Sequence, residues 1–192
     1  LMAGTPLTLA ETASVFGEML VFQNLLREVK TKEEKLSILG GKIEDMINTV
    51  VRQIAFCEFE IELHERRKKE ELTEEDINEA FIKVQQNSLG DGISIEEEYK
   101  YFWAYVSHFF HAPFYVYAYA FGDCLVNSLY SVYKNKSVPN FEEKYIKMLE
   151  AGGTLGHKEL LAPFNISLTD KTFWQGGIDI LKSYIKEFEE TL

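Results

Sequence analysis

Glu11, Ser14 and Glu18 stand in the segment AETASVFGE. Spacings of three and seven put all three on one face of a helix. A carboxylate turned toward a protein interior is costly unless it is paired or bound to a metal. The face therefore reads either as a metal-facing surface or as a solvated one. A second group lies in HFFHAPFYVYAYAFG, which carries His108, His111, Tyr115, Tyr117 and Tyr119. His111, Tyr115 and Tyr119 follow one another at intervals of four, and Tyr117 points elsewhere. Neutral phenols on one face suit stabilisation of a developing oxyanion. An aromatic core stripe with its hydroxyls reaching water would give the same spacing.

Two further patterns touch on chemistry. His64–Glu65 opens like HExxH, but Lys68 stands where the second histidine would be. His64 is therefore read as structural or as a helix cap. Gly152, Gly153 and Gly156 precede His157 in AGGTLGHKE, a loop able to wrap a peptide backbone or simply to join two helices. No P-loop, GxGxxG, GxSxG or CxxC occurs, so nucleophilic Ser or Cys catalysis has no visible scaffold.

The elements that must position these residues read as helix after helix. The first spans about Thr8 to Val29, with Leu9, Ala13, Phe16, Leu20 and Leu25 as its apolar positions. Thr31 with Glu34 forms a capping box for a short helix that Gly40–Gly41 ends. A long helix follows from about Lys42 to Lys69, with Ile43, Ile47, Val50, Ile54, Phe56, Ile61 and Leu63 on its apolar face. Its end, ERRKKEE, reads as solvated. Thr73 with Asp76 opens the next helix, which Gly90 and Gly92 stop, and Ser94 with Glu97 opens another. Further helices are predicted over Pro113–Tyr133, Asn140–Ala151 and about Thr169 to Glu190. No strand pattern persists, and the fold class is all-α: a multi-helix bundle in a single domain over 1–192.

The chain has 192 residues, and its 31 acidic against 20 basic residues give a net charge of −11. That balance argues against a nucleic-acid partner, which needs a basic footprint, and against an anionic membrane surface. No apolar run is long enough for a membrane span and no signal peptide opens the chain. Cys57 and Cys124 lie far apart and are expected as buried free thiols in a reducing, cytoplasmic setting. The chain begins with Leu1 rather than Met, so a longer parent is expected.

Five blocks in the same order resemble the C-terminal part of the oligoendopeptidase F family, helical zincin-like zinc peptidases of the thimet oligopeptidase clan. They are AETASVFGE, RQIAFCEFEIELHE, HFFHAPFYVYAYAFG, LEAGGTLGHKELL and FWQGGIDIL, and together they cover essentially the whole chain. The resemblance implies hydrolysis of short oligopeptides with Zn²⁺ as cofactor. It makes Glu11 a zinc ligand, with Glu18 and Ser14 supporting the metal site. Tyr115 and Tyr119 become oxyanion or substrate donors, and His108 or His111 the histidine that contacts substrate. Gly152, Gly153 and Tyr117 become substrate-side positions. The family's HExxH lies upstream of the glutamate helix, and no histidine precedes Glu11 here. Catalytic zinc needs at least three protein ligands, so the chain alone is expected to be inactive. It is expected to dock to an HExxH-bearing segment or to associate with itself through the apolar surface that segment would cover. A non-catalytic helical interaction protein, or one product of a split gene, is the other reading.

Overall fold

The computed structural model describes residues 12–192. Every regular element among them is helical and none is a strand, in line with the all-α expectation. The chain packs as two compact units, 12–46 with 121–192, and 47–120.

The first unit contains α1 (Thr12–Glu28), α2 (Lys32–Met46), α6 (Tyr117–Lys134) from residue 121 onward, α7 (Phe141–Ala151), α8 (His157–Leu161) and α9 (Lys171–Thr191). Leu39, Leu125, Leu129, Leu161 and Phe164 are its fully buried centre. The Thr31 capping box forms as predicted: the Glu34 N–H donates to Thr31 Oγ1 at 3.2 Å, and the Thr31 N–H donates to Glu34 Oε2 at 3.3 Å. Gly40–Gly41 does not end that helix, which runs on to Met46. Gly40 is instead a packing position, because a Cβ there would stand 3.4 Å from the Phe188 ring of α9. Lys35 pairs with Glu187 at 2.6 Å across the same two helices. Helix α9 also approaches α6 closely at Gly177, where a Cβ would lie 2.5 Å from Ser128 Oγ. On α1 the buried residues are Thr12, Phe16 and Met19, whereas Leu20 and Leu25, expected inside, are 43% and 48% exposed. The α9 start at Lys171 is capped by the Asp170 carboxylate, which accepts from the Thr172 N–H.

In the second unit the long helix expected over 42–69 is broken. A π-helical turn, Ile47–Val51, separates α2 from α3 (Arg52–Arg67). Residues two apart on a helix point to nearly opposite sides. Ile54 and Ile61 accordingly lie 45% and 50% exposed, while Phe56, Phe59 and Glu60 are buried. Phe56 and Phe59 pack on Ala80, Phe81 and Val84 of α4 (Glu74–Leu89). The Thr73–Asp76 capping box forms as predicted, and Arg66 pairs with Asp76 at 2.8 Å. Ser94 caps nothing: the segment Glu97–Tyr105 is 3₁₀-helical and opens at Glu96 without a side-chain cap. It is held instead by the Trp103 indole N–H, which donates to the buried Asn78 Oδ1 at 2.8 Å. Both cysteines are free and partly buried, and burial pushes the Cys124 thiol up to about 11. Among the described residues no helix is long and apolar enough to cross a membrane.

Candidate functional site

The helix expected from Pro113 begins later. A short helix, α5 (His108–His111), comes first, and α6 starts at Tyr117. Between them the Tyr115 N–H donates to the Ala112 carbonyl at 3.1 Å. This closes a turn with Pro113 second and Phe114 third. Proline presets the second position of such a turn, and the third requires a positive φ, normally supplied by glycine. Phe114 takes that position with φ of 59°.

Glu60 holds the turn. This α3 residue is 3% exposed, and its Oε1 accepts from the Phe114 N–H at 2.8 Å. Its other oxygen is buried and has no hydrogen-bond partner among the described residues. Burial holds its carboxyl above the usual carboxylate range, opposed by the Phe114 hydrogen bond and by His64 and His108. The exposed His64 ring packs on the Phe114 ring at 4.7 Å between centroids. That contact, one helical turn beyond Glu60, gives His64 the structural role expected of it.

The turn brings three predicted residues together. His108 stacks on Tyr115 at 5.4 Å between centroids, and Tyr115 meets Tyr119 edge-on at 5.3 Å. His108 Nε2 and the Tyr119 hydroxyl share a hydrogen bond of 3.2 Å. The Tyr115 hydroxyl has no hydrogen-bond partner among the described residues. The cluster thus offers donors that an incoming oxygen can use. His111 and Tyr117 are exposed and have no part in the ring cluster. Beside His108 runs an open groove of about 420 Å³, lined also by Arg52, Asn48 and Tyr105.

The remaining predicted residues fall elsewhere. Glu11 lies outside the described residues, and Ser14 and Glu18 are exposed on α1. Gly152 and Gly153 form a single 3₁₀ turn with Thr154 in the first unit, and His157 opens α8 rather than lying in a loop. Among the described residues no three His, Cys, Asp or Glu side chains converge as a metal site requires. These residues do not by themselves fit the zinc that the resemblance implies.

Sequence reading missed Glu60 and Arg52. The signal for Glu60 was present: Phe56, Phe59 and Leu63 recur at helical spacing, and Glu60 falls among them, four residues after Phe56.

An all-helical chain carrying this His/Tyr cluster defines a class, and the profile of peptidase family M3 matches residues 2–180. The chain belongs to peptidase family M3. Its relatives there include oligoendopeptidases F. It is 31% identical over 183 residues to the oligoendopeptidase F homolog of Borreliella burgdorferi, covering 94% of this chain and 30% of that protein. To oligopeptidase PepF of Bacillus subtilis it is 29% identical, covering 95% of this chain and 27% of the relative. The crystal structure of oligoendopeptidase-F from Enterococcus faecium superposes with a TM-score of 0.85 at 26% identity, over 96% of this chain and 35% of that one. A putative peptidase from Chlamydophila abortus gives a TM-score of 0.88 at 28% identity, over 98% of this chain and 31% of that one. The chain spans about three-tenths of the length of the relatives it matches.

Proposed function

We propose that this chain is the C-terminal part of a zinc-dependent oligoendopeptidase and supplies one wall of its substrate site. The observation that carries this is the His108–Tyr115–Tyr119 cluster, fixed by a strained turn. Its donors suit a peptide carbonyl whose oxygen gains charge during hydrolysis. Tyr115 offers a hydroxyl without a partner among the described residues, while His108 shares a hydrogen bond with that of Tyr119. Glu11 is assigned as one zinc ligand, supported by Ser14 and Glu18. The other ligands and the general base are assigned to an HExxH segment outside this chain. Zinc held by those ligands would supply activation of the attacking water; the residues described here would bind and orient the peptide and donate to its oxygen. Substrate would be short oligopeptides, handled in the cytoplasm. Leu20, Val21 and Leu25 lie exposed on α1 and favour docking to that upstream segment, whether it is the same polypeptide or a separate subunit. The test is cleavage of a quenched oligopeptide. The chain joined to or mixed with its HExxH segment should cleave it in a chelator-sensitive way, and the chain alone should not. Chelator-sensitive cleavage by the pure chain would overturn the assignment of ligands, and an inert zinc-loaded whole would overturn the peptidase reading.

A further inference from the structure

The groove beside His108 contains a cation that the peptidase reading does not use. Arg52 is the first residue of α3, one helical turn after Asn48 in the π-helical turn. Its guanidinium carbon stands 5.6 Å from the Phe56 ring centroid and 5.5 Å from that of Phe102, a cation–π arrangement on two rings. Nη1 donates to Asn48 Oδ1 at 3.0 Å, and Nη2 donates to the Tyr99 hydroxyl at 3.2 Å. Neither partner is a carboxylate. No carboxylate of the described residues pairs with Arg52, although the chain carries 31 acidic side chains.

A guanidinium has five N–H donors, so two are occupied and three remain. The side chain is held flat and in place before any ligand arrives, which lowers the ordering cost of binding. The groove of about 420 Å³ places it together with His108, Gln53 and Tyr105 and has no acidic residue in its lining. A planar, pre-positioned guanidinium beside a peptide-binding wall matches one chemistry, a carboxylate bound through charge-assisted N–H···O bonds.

We infer that Arg52 is an anion subsite of the substrate groove, taking a carboxylate of the bound peptide. The inference rests on the peptidase reading for the identity of the ligand. The carboxylate comes from the peptide's C-terminus or from an Asp or Glu side chain, and the two sources separate experimentally.

The deciding measurement is on the chain itself. N-acetyl-dialanine and its C-terminal amide, and N-acetyl-glutamate amide and N-acetyl-glutamine amide, are titrated while the Arg52 Nε–H resonance is followed by NMR. At least one acid should move that resonance and its neutral counterpart should not. In Arg52→Gln the acid and neutral probes should bind alike. An Arg52 resonance that responds equally to acid and neutral probes in both pairs overturns the subsite. Kinetics in the zinc-loaded enzyme then identify the source. Free-acid over amide substrates, or Glu over Gln substrates, should be preferred about tenfold or more in kcat/KM, mostly through KM. Arg52→Gln should abolish that preference, and Arg52→Lys should restore only part of it, since lysine cannot reproduce the fork. If the enzyme cleaves nothing, the peptidase reading fails while the NMR titration still decides the carboxylate site.

Discussion

Replacing Glu60 tests whether a buried carboxylate sets the turn that builds the His/Tyr wall. A non-glycine residue at positive φ costs about 1–2 kcal/mol, and Phe114 carries that cost with φ of 59°. A hydrogen bond to a charged group contributes about 1.5–3 kcal/mol, so the 2.8 Å bond from Phe114 to Glu60 is strong enough to hold the turn. Glu60→Gln keeps an acceptor for the Phe114 N–H and removes the charge. Glu60→Leu keeps bulk and removes the acceptor. The Leu variant should therefore be less stable than the Gln variant by about 1–3 kcal/mol. For a chain of this size that is a fall in Tm of roughly 2–12 °C. The pH dependence has a definite sign. Burial raises the Glu60 pKa in the folded protein, so the folded state keeps its proton to higher pH than the unfolded chain does. Stability is thus lost as pH rises from the ordinary carboxylate range through the raised folded value. Wild type minus Glu60→Gln, followed by denaturant unfolding across that window, should fall with pH. A Leu variant as stable as the Gln variant, or a difference that rises with pH, would refute the reasoning.

Other expectations follow from single contacts. Gly177→Ala should destabilise by about 1–3 kcal/mol, read by urea unfolding, because its Cβ would meet the Ser128 backbone nitrogen at 2.9 Å and the Cys124 carbonyl at 3.1 Å; full stability would mean that α9 moves away from α6 at little cost. Cys124, with its thiol pushed up to about 11, should react with iodoacetamide far more slowly at neutral pH than an unhindered thiol, because the thiolate is the nucleophile; alkylation at the rate of a model thiol would contradict its placement. Glu11→Gln in the zinc-loaded enzyme should lower metal affinity, read by competition with a chelating dye, and unchanged affinity would remove Glu11 from the ligand set.

Helix identity was legible where capping chemistry and periodicity agreed. Thr31–Glu34 and Thr73–Asp76 mark their helix starts correctly because the boxes are local and self-contained. The faces were less legible. A π-helical turn at Ile47–Val51 breaks the long helix, and no residue in INTVV announces it; Ile54 and Ile61 stand two residues from the buried Phe56 and Phe59 and lie exposed. Gly40–Gly41 looks like a stop, yet Gly40 serves the Phe188 ring of α9, a contact far away in sequence. In the site, the intervals among His108, Tyr115 and Tyr119 were legible but the route between them was not. Pro113 suggested a helix start, and Phe114 instead adopts a glycine-like φ, with its N–H held by Glu60 from a distant helix. His111 shares the four-residue spacing and still points to solvent, because it ends α5 before the turn redirects the chain.

The most direct test of the wall's role is turnover by the Tyr119→Phe variant of the zinc-loaded enzyme, with metal content measured on the same sample. The variant keeps the ring packing against His108 and Tyr115 and loses only the hydroxyl. As an oxyanion donor, Tyr119 should take kcat down by roughly 10²- to 10³-fold on removal of that hydroxyl, with zinc content unchanged. Normal turnover at full metal occupancy would contradict the account.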